Sequence, residues 1–282
     1  MPNTLVLSSP AKINLWLKIM GKREDGFHEV STRLVKLGVA DTVTLTLTEG
    51  AAGIDLSCNV PGIPVDDSNL VCKALRAFEA QVGKSFGWQV HLEKSIPHGA
   101  GLGGGSSNAA VVLRAANDLT GSPLSLEELL KIAAGIGSDV PCFLLETPAA
   151  DGTGRGENVT PAEFPWKLPL VLIKPAFPIP TPWAYQNWAV SSELPGVLYA
   201  PQICPWGEMV NHLERPVFEK YRLLPGLKSW LLGQSSVRAA LMSGSGSTMF
   251  AITNTDVQAA ALAEAARHFC GKTAWVQATT TL

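Results

Sequence analysis

The segment from Pro97 to Asn117, PHGAGLGGGSSNAAVVLRAAN, places five glycines within seven residues, directly before a run rich in alanine and valine. Glycine lets a backbone approach a ligand closely and adopt dihedral angles that other residues avoid. A helix that follows such a loop turns its free N–H groups and the positive end of its dipole toward the loop. The segment therefore predicts an anion site, most often for phosphate, followed by a helix from Ser106 to Leu119.

Several nucleotide-binding families use glycine-rich loops, and the residues around this loop distinguish between them. A Walker A loop requires a lysine before its Ser or Thr, and no lysine occurs between Lys94 and Lys131. The dinucleotide motif G-x-G-x-x-G does match from Gly99, but the acidic residue about 20 positions onward, Asp118, falls within a helical pattern. Protein kinases also need H-R-D and D-F-G, and the sequence contains neither. A flexible linker is disfavoured because a clearly patterned helix follows the loop.

The N-terminal segment alternates apolar with polar residues, as a strand does when one of its faces is buried. Ile13 and Leu15 alternate with Lys12 and Asn14, so the lysine and the asparagine share a strand face. DTVTLTLTEG repeats the alternation and predicts a second strand. Between the two, KREDGFHE predicts a turn at its Asp-Gly pair that presents the following aromatic and histidine side chains.

Helix and strand signals continue along the chain. DDSNLVCKALRAFEAQVG combines capping residues with apolar positions at helical spacing, which predicts a helix that ends at Gly83. A capping box at Ser125 and Glu128 begins another helix. GSDVPCFLLE is predicted to be extended, with Asp139 at a turn, because Pro141 disfavours helical conformation in the residue before it.

The composition changes near Thr160 and indicates two domains, residues 1–160 and residues 161–282. Ten prolines lie from Pro161 to Pro205, which is typical of stiff turns at a domain junction. The rest of the chain predicts helix, strand, strand, helix and strand, which is most of a ferredoxin-like unit.

Charge and composition argue against several kinds of partner. The formal charge is −2 and long basic runs are absent, so neither nucleic acid nor a membrane surface is expected to bind. The sequence shows no basic leader and no window close to the ~20 apolar residues of a membrane span, so we expect a soluble, cytoplasmic protein. Its five cysteines are scattered singly, and we expect them to be reduced.

Three motifs, SSPAKINLWLKI, PHGAGLGGGSSNAA and LMSGSGSTMFAI, resemble in that order those of the GHMP kinases, which phosphorylate small-molecule alcohols such as galactose, homoserine and mevalonate. The resemblance spans nearly the whole chain. It implies an α+β, two-domain GHMP kinase fold: a ribosomal protein S5 domain 2-like N-terminal domain that binds ATP and a ferredoxin-like C-terminal domain, with the active site between them. Within the family, KREDGFHEV, GSDVPCF and PIPTPWAY are similar to members whose acceptor is a cytidine diphosphate sugar alcohol.

The resemblance implies two catalytic residues. It places an aspartate at Asp139, implying that this carboxylate accepts the proton of the substrate hydroxyl. It places a lysine at Lys12 beside the same hydroxyl, where an ammonium offsets charge in the transition state. Without the resemblance, Asp139 would be interpreted as a turn or cap residue and Lys12 as a solvated strand residue.

The resemblance also implies that backbone N–H groups and serine hydroxyls of the glycine-rich loop hold the ATP phosphates. Ser107 could equally be only the N-cap of the helix, and Asn69, which matches a position near the adenine, could be a cap as well. The residues implied in ATP binding are Asn69, Pro97, Gly99, Gly101, Leu102, Gly103, Gly104, Gly105, Ser106, Ser107 and Asn108. Magnesium is expected with the nucleotide, held largely by phosphates and water, and no protein ligand is assigned to it.

For the acceptor, Phe27 and Tyr185 match positions whose rings enclose the cytosine, and His28 matches one that hydrogen-bonds the edge of the base. Asn14 and Thr181 complete the implied acceptor site. Stacking tolerates any base, so a cytidine preference has to come from polar contacts to the base edge. Without the resemblance, Phe27 would be an ordinary core aromatic and His28 a surface residue.

Two functions of other classes stay open at this point. One is an NAD(P)-dependent oxidoreductase that uses the G-x-G-x-x-G match, and the other is a GHMP-fold protein that binds ligands without catalysis. The presence of both Lys12 and Asp139 favours a kinase. Among kinases, the alternative is another GHMP enzyme of the homoserine or mevalonate type, and the sequence gives no indication of the oligomeric state.

Overall fold

The structure is a computed structural model that describes residues 3–282. Its strands are β1 (Thr4–Lys22), β2 (His28–Thr48), β3 (Gly53–Cys58), β4 (Gly87–Glu93), β5 (Ala149–Thr153), β6 (Asn158–Ala162), β7 (Pro169–Lys174), β8 (Gln202–Cys204), β9 (Gly207–Asn211), β10 (Val237–Met242), β11 (Met249–Thr253) and β12 (Trp275–Thr280). Its helices are α1 (Leu70–Val82), α2 (Gly104–Leu119), α3 (Leu126–Ile136), α4 (Val140–Leu144), α5 (Thr181–Asn187), α6 (Glu214–Lys220), α7 (Leu223–Leu232) and α8 (Asp256–Cys270).

The N-terminal part of the chain forms most of a large mixed sheet. Its strand order is β3-β4-β2-β1-β9-β8, and β5 and β6 extend it beside β2. The predicted strand β1 is confirmed, and Ile13 and Leu15 are fully buried. The predicted exposure of its opposite face is wrong here, because Lys12 and Asn14 are only 3% and 2% exposed. Helices α1, α2 and α3 pack on this sheet through a shared apolar cluster that includes Phe78 and Trp88.

The second sheet has four antiparallel strands in the order β10-β11-β7-β12. Taken in chain order, its strands and the helices between them make the β-α-β-β-α-β arrangement of a ferredoxin-like unit. That prediction is confirmed. Helices α6, α7 and α8 cover one face, with Phe218 and Leu227 fully buried there, and the other face packs on the large sheet through residues such as Ile13 and Phe250.

Two local predictions need correction. GSDVPCFLLE is not extended, since Val140–Leu144 form the short helix α4. Pro141 lies in the first turn of that helix, where its missing N–H would have no intrahelical partner. Helix α2 begins at Gly104, two residues earlier than Ser106.

The domain division at residues 160 and 161 stays a prediction, although the sheets cross it. It falls within β6, and β8 and β9 return from the C-terminal part of the chain to the edge of the large sheet. β9 pairs with β1 in parallel, opposite Trp16 and Leu17. Within residues 3–282, no helix combines the length and apolar character that a membrane crossing requires.

Candidate active site

Two adjoining cavities meet at the glycine-rich loop. The larger cavity, of about 630 Å³, is lined by Lys12, Asp139, Phe27, His28 and Tyr185 among others. The smaller cavity, of about 290 Å³, lies over the start of α1 and is lined by residues that include Asn69 and Pro97. The two share a common wall formed by Gly99, Gly101, Gly103 and Ser106.

Lys12 and Asp139 form an ion pair at the larger cavity, with Lys12 Nζ 3.2 Å from a carboxylate oxygen. Lys12 is 3% exposed and also donates to Asn14 Oδ1 at 2.7 Å. Asn14 Nδ2 donates to Thr32 Oγ1, and Thr32 Oγ1 donates to the Trp16 carbonyl. The buried ammonium is therefore held in place from two sides, and the interpretation of Lys12 as a solvated strand residue is wrong.

Asp139 occupies the N-cap position of α4 but does not act as a cap. Within the described chain its carboxylate accepts no hydrogen bond from the first turn of that helix. About a third of the side chain is exposed, on the side that lines the larger cavity. The carboxylate thus has one oxygen beside the Lys12 ammonium and keeps access to a ligand.

The glycine-rich loop is fixed by the first and third sequence motifs. The Lys12 N–H donates to the Leu102 carbonyl at 2.9 Å, and Ser243 Oγ donates to the Gly101 carbonyl at 2.9 Å. Gly101 has a φ of +75°, and a Cβ there would lie 2.2 Å from the Ser243 carbonyl oxygen. Gly103 has a φ of +69°, and a Cβ there would lie 3.0 Å from the Lys12 side chain. Both positions therefore require glycine.

Helix α2 directs its first turn at this shared wall. Its N-cap is Gly103, which carries no side chain to satisfy the first N–H groups. These groups and the positive end of the helix dipole are suited to an anion, and phosphate binding at the loop stays a prediction.

Ser107 and Asn108 lie beneath the loop in a buried polar cluster. Ser107 is fully buried and accepts a hydrogen bond from Ser9 Oγ at 2.8 Å. It is the fourth residue of α2, so its interpretation as the N-cap is wrong. Asn108 donates to Ser9 and Asp41 and accepts from Lys94. Contacts of these two side chains with ATP stay predictions.

Asn69 is the N-cap of α1 and also lines the smaller cavity. Its Oδ1 accepts from the Val71 N–H at 2.9 Å, and its Nδ2 donates to the Pro64 carbonyl at 2.6 Å. The cap interpretation is confirmed, and the adenine contact stays a prediction.

The three predicted base-binding residues all line the larger cavity. The Phe27 ring is 54% exposed with the Arg155 guanidinium 4.9 Å from its centroid, so its interpretation as a core aromatic is wrong. The His28 and Tyr185 rings lie 5.5 Å apart, inclined by 30°. The pKa of His28 is lowered, mainly by burial and to a smaller extent by the positive charge of Lys22. Burial raises the pKa of Tyr185 well above its usual value.

Several lining residues were not assigned from the sequence. Gly244, Ser245 and Gly246 come from the third motif and complete the larger cavity, and Ser245 Oγ lies 2.7 Å from Thr181 Oγ1. Their signal was the glycine spacing of LMSGSGSTMFAI. Arg155 also lines the cavity, and it belongs to a glycine-rich turn that carried no assigned function.

A divalent cation would find few protein ligands here. Among the residues that the structure describes, no group of three or more His, Cys, Asp or Glu side chains is placed to hold a metal ion. The five cysteines are free thiols, and Cys72 and Cys142 are buried.

Family models match the chain in two places: the GHMP kinases N terminal domain over residues 69–147 and the GHMP kinases C terminal over residues 203–272. The first match contains the glycine-rich loop and Asp139. The second contains the SGSGS turn, residues 243–247. Each match therefore includes residues that line the larger cavity, whereas Lys12, His28 and Tyr185 lie outside both.

Individual relatives of the chain are also kinases of this family. A 4-diphosphocytidyl-2-C-methyl-D-erythritol kinase from Methylacidiphilum infernorum is 42% identical over 246 residues, which are 86% of this chain and 84% of that protein. A chloroplastic enzyme of the same name from Arabidopsis thaliana is 40% identical over 262 residues, 89% of this chain and 68% of that protein.

Solved structures give the same result. A crystal structure of 4-(cytidine 5'-diphospho)-2C-methyl-D-erythritol kinase superposes with a TM-score of 0.80 at 32% identity. The match covers 99% of this chain and 100% of that chain. A homoserine kinase from Cytophaga hutchinsonii superposes with a TM-score of 0.70 at 17% identity, covering 100% of this chain and 95% of that one, which shows the fold alone. The chain therefore belongs to the GHMP kinase family of ATP-dependent small-molecule kinases.

Proposed function

We propose that this kinase transfers the γ-phosphoryl group of ATP to the 2-hydroxyl of 4-diphosphocytidyl-2-C-methyl-D-erythritol, a step in non-mevalonate isoprenoid precursor biosynthesis. The observation that carries the proposal is the Lys12–Asp139 pair, 3.2 Å apart, in the larger cavity beside the shared glycine wall. The relatives that act on this acceptor, by name, are also more similar in sequence than the homoserine kinase.

The smaller cavity is the proposed ATP site. Its volume and its position over the start of α1 suit a nucleoside, with Asn69 on its wall. The triphosphate would extend along Gly101–Ser106, where the first-turn N–H groups of α2 are available as donors. This orientation brings the γ-phosphate to the shared wall, next to Lys12.

Transfer then needs a base and a fixed positive charge. The hydroxyl oxygen of the acceptor forms a bond to the γ-phosphorus, and the Asp139 carboxylate accepts the proton that this hydroxyl loses. The bond from that phosphorus to the bridging oxygen breaks, and ADP leaves with the electron pair. Lys12 cannot turn away, because Asn14 and Asp139 hold its ammonium, so it offers its charge without reorganisation.

Magnesium is proposed to accompany ATP. The Asp139 carboxylate, which lines the larger cavity, suits this ion, since magnesium usually keeps several waters and is held jointly with substrate phosphates. Asp139 and the Ser106 hydroxyl are the protein oxygens on the larger cavity that would contact it. When bound, the ion would neutralise phosphate charge.

The cytidine end of the acceptor is proposed to lie between Phe27 and Tyr185. Arg155, 4.9 Å from the Phe27 centroid, supplies positive charge at the same end of the cavity. His28 remains neutral near pH 7 because its pKa is lowered, so its ring carries both a donor and an acceptor for the base edge.

The test is a coupled ADP-release assay with a panel of acceptors at equal concentration. 4-Diphosphocytidyl-2-C-methyl-D-erythritol, the uridine analogue, mevalonate, homoserine and galactose form the panel. We expect the highest kcat/KM with the cytidine substrate, and a clear loss with uridine, whose base edge reverses donor and acceptor. Faster turnover of mevalonate or homoserine than of the cytidine substrate would overturn the substrate assignment while leaving the kinase assignment intact.

A further inference from the structure

A buried polar trio lies outside both cavities, behind the third motif. Asn211 ends β9, Glu214 begins α6 and Lys228 belongs to α7, and all three side chains are at most 3% exposed. Lys228 Nζ lies 2.6 Å from Glu214 Oε2 and also donates to the Leu198 carbonyl. Replacing a buried ion pair with apolar residues often leaves a protein equally stable, so stability alone does not explain why this pair is present.

Two of the three, Asn211 and Glu214, are hydrogen-bonded to the backbone where β10 leads into the SGSGS turn. Glu214 Oε1 accepts from the Met242 N–H at 2.9 Å. Asn211 Nδ2 donates to the Met242 carbonyl at 2.8 Å and to the Gly244 carbonyl at 2.7 Å. Asn211 Oδ1 is occupied as well, by the Leu213 N–H. Both polar groups of Met242 are thus held by side chains from outside its own sheet.

The same turn touches the catalytic groups. Ser243 Oγ donates to the Gly101 carbonyl of the glycine-rich loop. Gly244 lies so close to the catalytic pair that a Cβ there would be 3.4 Å from Lys12 Nζ and 3.5 Å from Asn14 Oδ1. A displacement of the turn would therefore change the surroundings of Lys12 and of the shared wall together.

We propose that Asn211 and Glu214 are positioning residues, which hold Met242–Gly244 so that the third motif keeps Lys12 and the glycine-rich loop in register for phosphoryl transfer. Lys228 has the separate role of compensating the buried carboxylate. The readout of this inference depends on the kinase activity proposed above. The base-binding residues Phe27 and His28 lie on the β1–β2 side of the cavity. The turn contacts the acceptor site through Ser245 Oγ, 2.7 Å from Thr181 Oγ1, and Ser245 lies beyond the Met242–Gly244 segment that Asn211 and Glu214 hold.

The test separates the hydrogen bond to Met242 from the ion pair. Glu214→Leu with Lys228→Met removes both, whereas Glu214→Gln with Lys228→Met removes the charges and keeps an acceptor oxygen for the Met242 N–H. Both double variants lose the Lys228 bond to Leu198, so they are matched. Misplacement of catalytic groups by an ångström can cost about a hundredfold in rate. We expect kcat to fall by about ten- to a hundredfold in the Leu variant and to be largely rescued in the Gln variant, with the acceptor KM within about threefold of wild type in both.

A second variant covers the case in which the Leu variant is unfolded. Asn211→Asp keeps the acceptor for Leu213 but sets a carboxylate against the Met242 and Gly244 carbonyls. We expect the same loss of kcat with an unchanged acceptor KM, measured on protein whose thermal unfolding is cooperative. Equal kcat values in the Leu and Gln double variants, or a folded Asn211→Asp with wild-type kcat, would overturn the positioning role. A wild-type enzyme that does not phosphorylate the cytidine substrate would instead refute the proposed function.

Discussion

The smaller and the larger cavity share one wall, yet the chain builds them in different ways. The smaller cavity is formed largely by a single continuous segment, residues 97–106, together with the start of α1. The larger cavity takes side chains from β1, the β1–β2 turn, the start of α4, α5 and the SGSGS turn. A phosphate site can thus be made from local backbone, whereas the acceptor site exists only after distant segments have packed together.

The largest effect is expected at the junction of the two cavities. Asp139→Asn removes the base and keeps the shape of the side chain, so kcat should fall by about 10²–10⁴. ATP affinity, measured by calorimetry, should stay within about threefold of wild type, because the smaller cavity is untouched. Asp118→Asn, an exposed position in α2, is the matched control and should keep full activity. An Asp139→Asn enzyme that retains most of its kcat would remove this residue from the chemistry.

The second-largest effect is expected from a substitution in the shared wall. Gly103→Val introduces a side chain at a φ of +69°, within 3.0 Å of Lys12 and Phe143. Backbone strain of about 1–3 kcal/mol and the displaced Lys12 should raise the KM for ATP about tenfold or more and lower kcat as well. Gly121→Val carries similar strain at a φ of +89° with open space around it, and serves as the control. Unchanged ATP kinetics in a folded Gly103→Val enzyme would contradict the glycine cradle.

Changes at the far end of the larger cavity should affect only the acceptor. Tyr185→Ala removes one face of the predicted base site, which should cost roughly 1–3 kcal/mol of binding, seen mainly in the acceptor KM. Tyr185→Phe, which keeps the ring, should lose much less. If the ATP KM rises as much as the acceptor KM, the residue supports the fold rather than the base.

The smallest effect concerns pH. Because burial and Lys22 lower the pKa of His28 below 6.5, its neutral form predominates at pH 7 and above. The acceptor KM, measured at saturating ATP, should be flat from pH 8 to pH 7. It should rise as the pH falls through the lowered pKa of His28, because protonation removes the ring's acceptor nitrogen. Because the pKa of His28 is lower in the folded protein than in the unfolded chain, the unfolded chain binds this proton more readily. The contribution of His28 to the free energy of unfolding should therefore decrease as the pH falls. A His28→Gln enzyme should show a flat acceptor KM, and a wild-type slope that persists in it would assign the titration to another group.

The sequence predicted the smaller cavity better than the larger one for a physical reason. The glycine loop and α2 follow from local residue chemistry, and the structure moves the helix start by only two residues. The ferredoxin-like unit also followed from local patterns. The proximity of Lys12 and Asp139 could not, because they lie 127 positions apart in the sequence (139 − 12); only the family resemblance paired them.

Other features depended on packing that no local pattern encodes. Asn211 ends β9 and Glu214 begins α6, about thirty positions before Met242, so their hydrogen bonds to Met242 depend on tertiary packing. Helix α4 was misjudged because Pro141 was interpreted as a helix breaker, although the first turn of a helix tolerates it.

In the proposed reaction, ATP and the acceptor occupy their cavities at the same time, and the phosphoryl group passes directly between them at the shared wall. The most direct measurement is an initial-velocity matrix in which both substrates are varied with the wild-type enzyme. Direct transfer requires a ternary complex, so the double-reciprocal plots should intersect. Parallel lines, together with a phosphorylated protein isolated after incubation with ATP alone, would show a covalent relay and would contradict direct transfer between the two cavities.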